Sequence, residues 1–165
     1  MAALFLAVVV PAGSIAAAGH FDGLYGQDPY AYLDYATGPL SDSLRQLRPP
    51  PFYWPPGYPL LLTGASLVLR SGALAGQIIS LVGGGLVAIF TALLGAEVWR
   101  TYQTAASSAT RSREVSVVAI LAGLLAALNG QLWQSSVVVM ADTTGLAMAT
   151  AGTWLLVRYA RQKQL

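Results

Sequence analysis

The stretch GQIISLVGGGLVAIFTALLGAEVW, residues 76–99, decides the fold. At about 1.5 Å per helical residue, it is long enough to cross a hydrocarbon core of roughly 30 Å. Small residues recur in it at every fourth position, beginning with Gly76, Ser80 and Gly84. Because small residues at this spacing let helix backbones approach closely in lipid, we predict that these three form a helix contact. The alternative is that membrane helices are simply rich in glycine and alanine.

The composition of the whole chain also indicates a membrane protein. Of its 165 residues, 55% are hydrophobic and only 10% are charged, which is typical of an integral membrane protein rather than a soluble domain. The net charge of +2 is small and the basic residues are scattered, which argues against nucleic acid as a partner. The absence of cysteine excludes a disulfide framework, thiolate metal sites and cysteine catalysis. The single histidine, His20, excludes a bis-histidine haem within one chain.

Three further apolar segments accompany this stretch: residues 2–18, 115–134 and 142–158. We predict that residues 2–18 form the first transmembrane helix; the alternative is a signal peptide, because three alanines at 16–18 resemble a cleavage site. In the last segment Gly145 and Ala149 are four residues apart, which predicts a second helix contact. We therefore predict an all-α integral membrane fold, a single module over residues 1–165. It has about four transmembrane helices and a long outer loop that carries short juxtamembrane helices.

The basic residues predict the orientation. Six of the nine lysines and arginines fall on one side of such a bundle if residues 60–69 form an interfacial helix: Arg100, Arg111, Arg113, Arg158, Arg161 and Lys163. The positive-inside rule assigns that side to the cytoplasm. We therefore predict a multi-pass protein of a bacterial-type inner membrane with cytoplasmic termini, an inner loop at 100–114 and a basic tail at 159–165. If residues 60–69 spanned the membrane instead, Arg100 and the inner loop would lie outside.

Tryptophans mark the predicted membrane boundaries. Trp54 and Trp133 fall at the outer boundary, and Trp99 and Trp154 fall at the inner one. Tryptophan is enriched at both membrane interfaces, so these positions agree with the predicted orientation.

The predicted outer segment, residues 19–75, is where we expect any chemistry, since it holds four of the seven acidic residues. Asp28, in the sequence GQDPYAY, and Asp142, which opens the last span, are both predicted at the outer mouth of the membrane. Each could cap a helix, and for Asp142 this structural role is favoured over catalysis. A carboxylate at a lipid surface could instead act as a general base or bind a divalent cation.

Other residues of the outer segment suit a lipid surface. Arg45 and Arg48 are candidates for pairing with a lipid phosphate, because a guanidinium group matches phosphate bidentately; the alternative is that both are simply solvated. Tyr30 and Tyr32 belong to a predicted short helix, PYAYLDYA, whose tyrosines suit the level of the headgroups. The sequence has no zinc-ligand spacing, phosphate-cradling glycine loop or nucleophile elbow, and we assign no metal ligands.

The order of these features resembles the N-terminal part of GT-C class membrane glycosyltransferases. The most similar are family-39-like enzymes, which include protein O-mannosyltransferases and lipid A aminoarabinose transferases. The resemblance is carried by Asp28-Pro29-Tyr30-Ala31-Tyr32, by the turn Trp54-Pro55-Pro56-Gly57-Tyr58-Pro59 with Leu60-Leu61 after it, and by Asp142. It implies transfer of a sugar from a polyprenyl-phosphate carrier at the outer face, with Asp28 as base or metal contact. Such enzymes have many more spans, so this chain resembles a first module without the rest.

Two functions are therefore open. The first is a small integral-membrane accessory subunit of a larger complex, with photosynthetic and respiratory assemblies among the candidates. It would be built on a truncated glycosyltransferase-like module that binds lipid, isoprenoid or pigment. The second is a polyprenyl-phosphate-sugar-dependent glycosyltransferase, alone or as part of a split enzyme. Expected partners are membrane lipids and other membrane protein subunits, with no nucleic acid. The cofactor is undetermined; a divalent cation and a bound isoprenoid or pigment are the candidates.

Overall fold

The structure, a computed structural model, describes residues 1–48, 55–102 and 108–163, with the backbone alone at 108–111. Within these ranges all regular secondary structure is helical, which confirms the all-α prediction. The helices are α1 (Ala2–Ala18), α2 (Gln27–Thr37), α3 (Pro39–Arg45), α4 (Gly57–Leu69), α5 (Gly72–Tyr102), α6 (Ser108–Ala127), α7 (Gly130–Val137) and α8 (Asp142–Lys163).

Helix α5 is the axis of the fold. It is the longest of these helices, and α1, α4, α6, α7 and α8 all pack against it. Helices α1 and α6 run antiparallel to α5, whereas α8 runs parallel to it. The contacts that set these directions are Phe5–Gly85 and Gly13–Leu81 for α1, Ala122–Gly95 and Gly123–Ala92 for α6, and Thr143–Gly83 and Trp154–Phe90 for α8.

These directions give the bundle two distinct ends. The first turns of α5 and α8 lie at one end together with α2, α3 and α4, and we call this the outer end. The last turns of α5 and α8, with Glu97 and Arg161, lie at the opposite end, which we call the inner end. The names follow the predicted orientation.

Only part of the bundle has the length and composition of a membrane span. Among the described residues, α5 is the one helix long and apolar enough to cross a membrane by itself. Helices α6 and α7 pass the same test together, but they are bent by 59° at the break between them. Helices α1 and α4 are apolar but shorter. A membrane location is therefore supported at the level of one or two spanning helices, and four spans remain a prediction.

The predicted third span, residues 115–134, is broken in the structure. The helix stops at Ala127, and α7 starts at Gly130 with Asn129 as its N-cap. The Asn129 side chain accepts a hydrogen bond from the Leu132 amide at 3.0 Å, which satisfies one of the free N–H groups of the new helix. An unbroken helix across these residues was therefore a wrong expectation, because asparagine followed by glycine favours a new helix start over continuation.

The predicted strip on α5 contacts several elements at the outer end. A Cβ atom at Gly76 would overlap with Val139, and one at Gly84 would overlap with Ser136. Ser80, fully buried between them, receives a hydrogen bond at its backbone carbonyl from the Thr143 hydroxyl at 2.9 Å. Because α5 has no side chains at Gly84 and Gly76, α7 and the connection that follows it can lie directly against its backbone.

On α8 a different face makes the contact with α5. Thr143 and Ala147 are buried, whereas Gly145 and Ala149 are exposed, and a Cβ at Gly145 would meet nothing within 4 Å. At 3.6 residues per turn, positions two apart lie on nearly opposite sides of a helix. The predicted four-residue spacing is therefore found in the contact between α8 and α5. The residues that make this contact are Thr143 and Ala147, each two positions before the predicted Gly145 and Ala149.

Helix α4 folds back along the start of α5. The reversal occurs at Arg70, which has a left-handed backbone (φ 55°), and α5 begins two residues later. Tyr58, near the beginning of α4, thereby reaches Gly76 and Ser80. Helix α4 covers Gly57–Leu69, so the residues predicted as a short helix, 60–69, are helical, with three more at the start; their position at a membrane interface stays a prediction. Trp54, predicted as a boundary marker, lies outside the described residues.

Candidate functional site

The two aspartates singled out in the sequence both lie exposed at the outer end. Asp28 is in the first turn of α2, a position that suits a carboxylate because helix N-termini are partially positive. The N-cap of α2 is Gly26, however, so the interpretation of Asp28 as the capping residue was wrong. Asp142 is the first residue of α8 and has the same favourable relation to its helix.

Tyr32 connects these two aspartates. Its ring packs edge-on against that of Tyr58, with 5.2 Å between ring centroids. Burial raises the pKa of the Tyr32 hydroxyl, and the negative charges of Asp142 and Asp28 raise it further. The fold therefore brings the acidic residue of the first loop and that of the last helix around one phenol, although they are far apart in sequence.

Tyr58 is the more buried of these two tyrosines. It lies 3.4 Å from the Ser80 Oγ and 3.5 Å from the Gly76 carbonyl oxygen. The Tyr58 hydroxyl donates to the Gly76 carbonyl, and the Ser80 hydroxyl donates to the Met140 carbonyl at 3.3 Å; between Tyr58 and Ser80 either oxygen can be the donor. Burial raises the Tyr58 pKa to about 12, even though the Ser80 bond opposes the rise. Tyr58 thus serves as a neutral donor that ties α4 to α5.

The described residues offer little for a metal ion. No group of three or more histidine, cysteine, aspartate or glutamate side chains lies close enough within them to hold one. Asp28 and Asp142 make at most a pair, and divalent cations such as Ca²⁺ take six or more oxygen ligands. A cation held there would need waters or a substrate to complete its coordination.

A small cavity lies beside Asp142. It has a volume of about 250 Å³ and is lined by residues of α5, α6, α7 and α8 at the break between α6 and α7. Val87, Leu132 and Leu146 supply apolar walls, while Asn129 and Asp142 supply polar groups. Asp28 does not line this cavity, so the two aspartates do not face a common enclosed space.

A larger apolar groove runs along the side of α5, between α4 and α8. Its volume is about 450 Å³. The residues that line it are Leu61 of α4, Ile78, Ile79, Val82, Gly83, Leu86 and Phe90 of α5, and Thr144, Ala147, Met148 and Ala151 of α8. Thr144 is the sole hydroxyl residue among them, and its Oγ atom is buried with no partner in the described part of the chain.

A polar pocket of about 220 Å³ lies on the other side of α4. It contains Arg45, one of the two arginines predicted to meet a phosphate, and a second arginine, Arg70. Arg48, three residues after Arg45, is exposed and does not line this pocket. Tyr30, predicted at headgroup level, is half exposed on α2 and does not line it either. The structure therefore groups Arg45 with Arg70 rather than with Arg48.

Sequence reasoning missed the charged cluster at the inner end. Glu97 is only 2% exposed, and its two carboxylate oxygens accept hydrogen bonds from two arginines. Arg161 Nε donates to Oε1 at 2.6 Å, and Arg100 Nη1 donates to Oε2 at 2.8 Å. The available signal was an ionisable residue inside an apolar run, which in a membrane helix usually has a partner. The cluster joins α5 to α8.

The comparisons with known proteins add no identity. No protein-family model matches the chain, and neither the curated proteins nor the solved structures contain a match. The resemblance to GT-C glycosyltransferases therefore remains a prediction from short motifs.

Proposed function

We propose that this chain is a small integral-membrane accessory subunit that holds the hydrocarbon chain of a lipid or isoprenoid in the groove between α4, α5 and α8. The observation that carries the proposal is the groove itself. Apart from Gly83 and Thr144, all the residues that line it have apolar side chains. Its volume of about 450 Å³ falls in the range of roughly 300–1,000 Å³ that is usual for ligand sites.

The position of the groove favours a hydrocarbon occupant. It lies along α5, which is the helix best suited to cross a membrane; with α5 in a bilayer, the groove would face lipid rather than water. Three of its lining residues are small, Gly83, Ala147 and Ala151, and Gly83 lets α8 lie directly against α5 at Thr143. A flexible chain of methylene or isoprene units can follow such a groove, gaining dispersion contacts along its length.

A photoreactive lipid tests this proposal. The probe is an isoprenoid alcohol with a diazirine in its chain, incubated with the protein in detergent micelles and crosslinked by light. Ala151→Phe fills the groove and is expected to remove crosslinking to α5 and α8. Ala149→Phe places the same ring on the exposed side of the same helix and serves as the matched control. Equal labelling of both variants, at the level of the unaltered protein, would refute the groove as the site.

The accessory role has its own test. Purification in mild detergent at native expression is expected to give a complex larger than the single chain and its micelle. Migration of the chain alone, with no other membrane protein in stoichiometric amount, would contradict the subunit role while leaving lipid binding in the groove intact.

A second candidate function, sugar transfer from a polyprenyl-phosphate carrier, is favoured by one specific observation. Asp28 and Asp142 both act on the pKa of Tyr32, so the two carboxylates occupy the same outer region as this hydroxyl. One of them could serve as the general base for an acceptor hydroxyl. Asp28→Asn should then abolish a glycolipid or glycoprotein product while the protein stays folded. In the accessory-subunit proposal the same variant changes no product.

A further inference from the structure

The polar pocket bounded by α2, α3, α4 and the start of α5 has the features of an anion site. Its lining residues are Ala36, Thr37, Ser41, Arg45, Thr63, Ser66, Leu67, Arg70, Ser71 and Gly72. Neither Arg45 nor Arg70 forms an ion pair with any described residue, and no acidic side chain lines the pocket. Two positively charged side chains therefore line a space of about 220 Å³, and no acidic residue is among its lining residues.

The hydroxyl groups of the pocket differ in how they are bonded. Thr63 donates to the Ala36 carbonyl at 2.8 Å, and Ser66 donates to the Leu62 carbonyl at 2.6 Å. Ser41 is different: the residue is only 7% exposed, and its hydroxyl is bonded to no other residue that the structure describes. Its Oγ atom is not fully enclosed, so it is open to the pocket that Ser41 lines and can donate to a ligand there.

The start of α5 adds to the positive potential. Ser71 and Gly72 line the pocket where this long helix begins, and helix N-termini attract anions through their free N–H groups and the helix dipole. Arginine guanidinium groups match the oxygens of phosphate in a bidentate geometry. Two arginines, a free serine hydroxyl and a helix N-terminus together suit a tetrahedral phosphate group better than a flat carboxylate.

The surroundings of the pocket indicate where such a phosphate comes from. Leu67 lines the pocket itself, and Val68 next to it is 79% exposed. Both are apolar residues of α4 beside the pocket, so a ligand with a phosphate head in the pocket would have apolar side chains available for its hydrocarbon tails. From this arrangement we infer that the pocket binds the phosphate group of an anionic glycerophospholipid, with its acyl chains along α4.

The inference deepens the proposed lipid-binding function by naming a headgroup site, and it rests on that function only in placing α4 at a membrane surface. The headgroup pocket and the apolar groove lie on different sides of α4 and share no lining residue. A lipid in one site therefore does not require a lipid in the other.

Binding of short-chain lipids to the purified protein in uncharged detergent tests the inference. The probes are dioctanoyl phosphatidic acid, dioctanoylglycerol, which lacks only the phosphate, and inorganic phosphate. We expect phosphatidic acid to bind at least about tenfold more tightly than either of the others, because only it offers both charge-assisted hydrogen bonds and apolar contacts. Equal binding of inorganic phosphate would assign the pocket to free phosphate and overturn the lipid assignment.

Variants locate the site. Arg45→Gln and Arg70→Gln should each weaken phosphatidic acid binding at least about tenfold, since each removes a charged donor. Arg48→Gln, a matched change outside the pocket, should leave binding within about twofold. Ser41→Ala should weaken binding without lowering thermal stability, because the hydroxyl that it removes has no partner in the described part of the protein. An Arg48→Gln effect as large as that of Arg70→Gln would overturn the site.

The outcome is separable from that of the proposed function. Ala151→Phe, which fills the groove, should bind phosphatidic acid as well as the unaltered protein does. If the groove fails its crosslinking test while Arg70→Gln abolishes phosphatidic acid binding, the headgroup site stands alone. If phosphatidic acid and dioctanoylglycerol bind equally, the headgroup site is refuted whatever the groove does.

Discussion

Replacing Glu97 by glutamine should destabilise the protein through loss of the contact between α5 and α8 at the inner end. Glu97 is the acceptor for both Arg161 and Arg100, and its side chain is 3% exposed. A hydrogen bond to a charged group contributes about 1.5–3 kcal/mol to stability, so the two bonds represent about 3–6 kcal/mol in gross terms. The amide can keep one acceptor bond, but its NH₂ group faces the other guanidinium as a donor.

Contact of the two arginines with solvent lowers the expected loss of stability below this gross value. The side chain of Arg161 is 26% exposed and that of Arg100 is 44% exposed, so both guanidinium groups can recover part of their hydration. Burial of the neutral glutamine amide also has a smaller desolvation penalty than burial of the charged carboxylate. We therefore expect Glu97→Gln to lower the free energy of unfolding by about 2–3 kcal/mol, just below the range of about 3–5 kcal/mol that is usual for breaking a buried pair.

The two arginines should differ in their contributions. Arg161 comes from α8 and is the less exposed, so Arg161→Gln should cost about 1–2 kcal/mol. Arg100 is one turn from Glu97 on the same helix, where such pairs contribute about 0.3–0.5 kcal/mol. A double-mutant cycle of Glu97→Gln with Arg161→Gln should give a coupling energy of at least about 1 kcal/mol.

The assay is equilibrium unfolding in mixed detergent micelles, followed by tryptophan fluorescence. Arg158→Gln, a charge loss on the same helix outside the Glu97 cluster, is the control; it removes a cation–π contact with Trp154 and should cost under about 1 kcal/mol. The reasoning is refuted if Glu97→Gln costs no more than this control, or if the cycle shows no coupling, since either result means that the cluster does not hold α5 and α8 together.

Three further predictions follow from the outer end and the topology. Gly84→Leu should destabilise by at least about 2 kcal/mol in the same unfolding assay, because its side chain would overlap with Ser136; Gly145→Leu, on an open surface, should be neutral or slightly stabilising, and equal effects would contradict the packing. The Tyr58 pKa is raised in the folded state to about 12. Its contribution to the free energy of unfolding is therefore fully present below about pH 10 and is lost as the pH rises toward about 12, by up to about 3 kcal/mol. Tyr58→Phe should flatten this part of the stability curve, and an unchanged slope would argue against it. For the orientation, Leu47→Cys, at a 94% exposed position, should react with an impermeant reagent in intact cells, whereas Ser112→Cys should react only after permeabilisation; the reverse pattern would invert the topology.

The helices were predicted from local features of the sequence. Apolar length and composition are properties of a segment by itself, and they predicted the α-class, the long helix α5 and the short helix after Asp28. The break at Asn129 was also visible in the sequence. Apolar residues on both sides of Asn129 nevertheless favour a single span when only apolar length is considered. Apolar length carries no information on helix capping, and the Asn129 side chain caps α7 by accepting a hydrogen bond from the Leu132 amide.

By itself, the sequence determined which segments are helical and which positions on α5 are small enough for close packing, because both depend on residue type and spacing along one helix. Only the tertiary structure decided which face of α8 meets α5, since small residues at a spacing of four occur on both faces. It also decided the partners of the charged residues. Arg45 lines a pocket with Arg70 rather than with Arg48, and Glu97 meets Arg161 across two helices. Such pairings depend on the rotation and depth of one helix against another, which are set by the packing of the whole bundle and not by spacing within one segment.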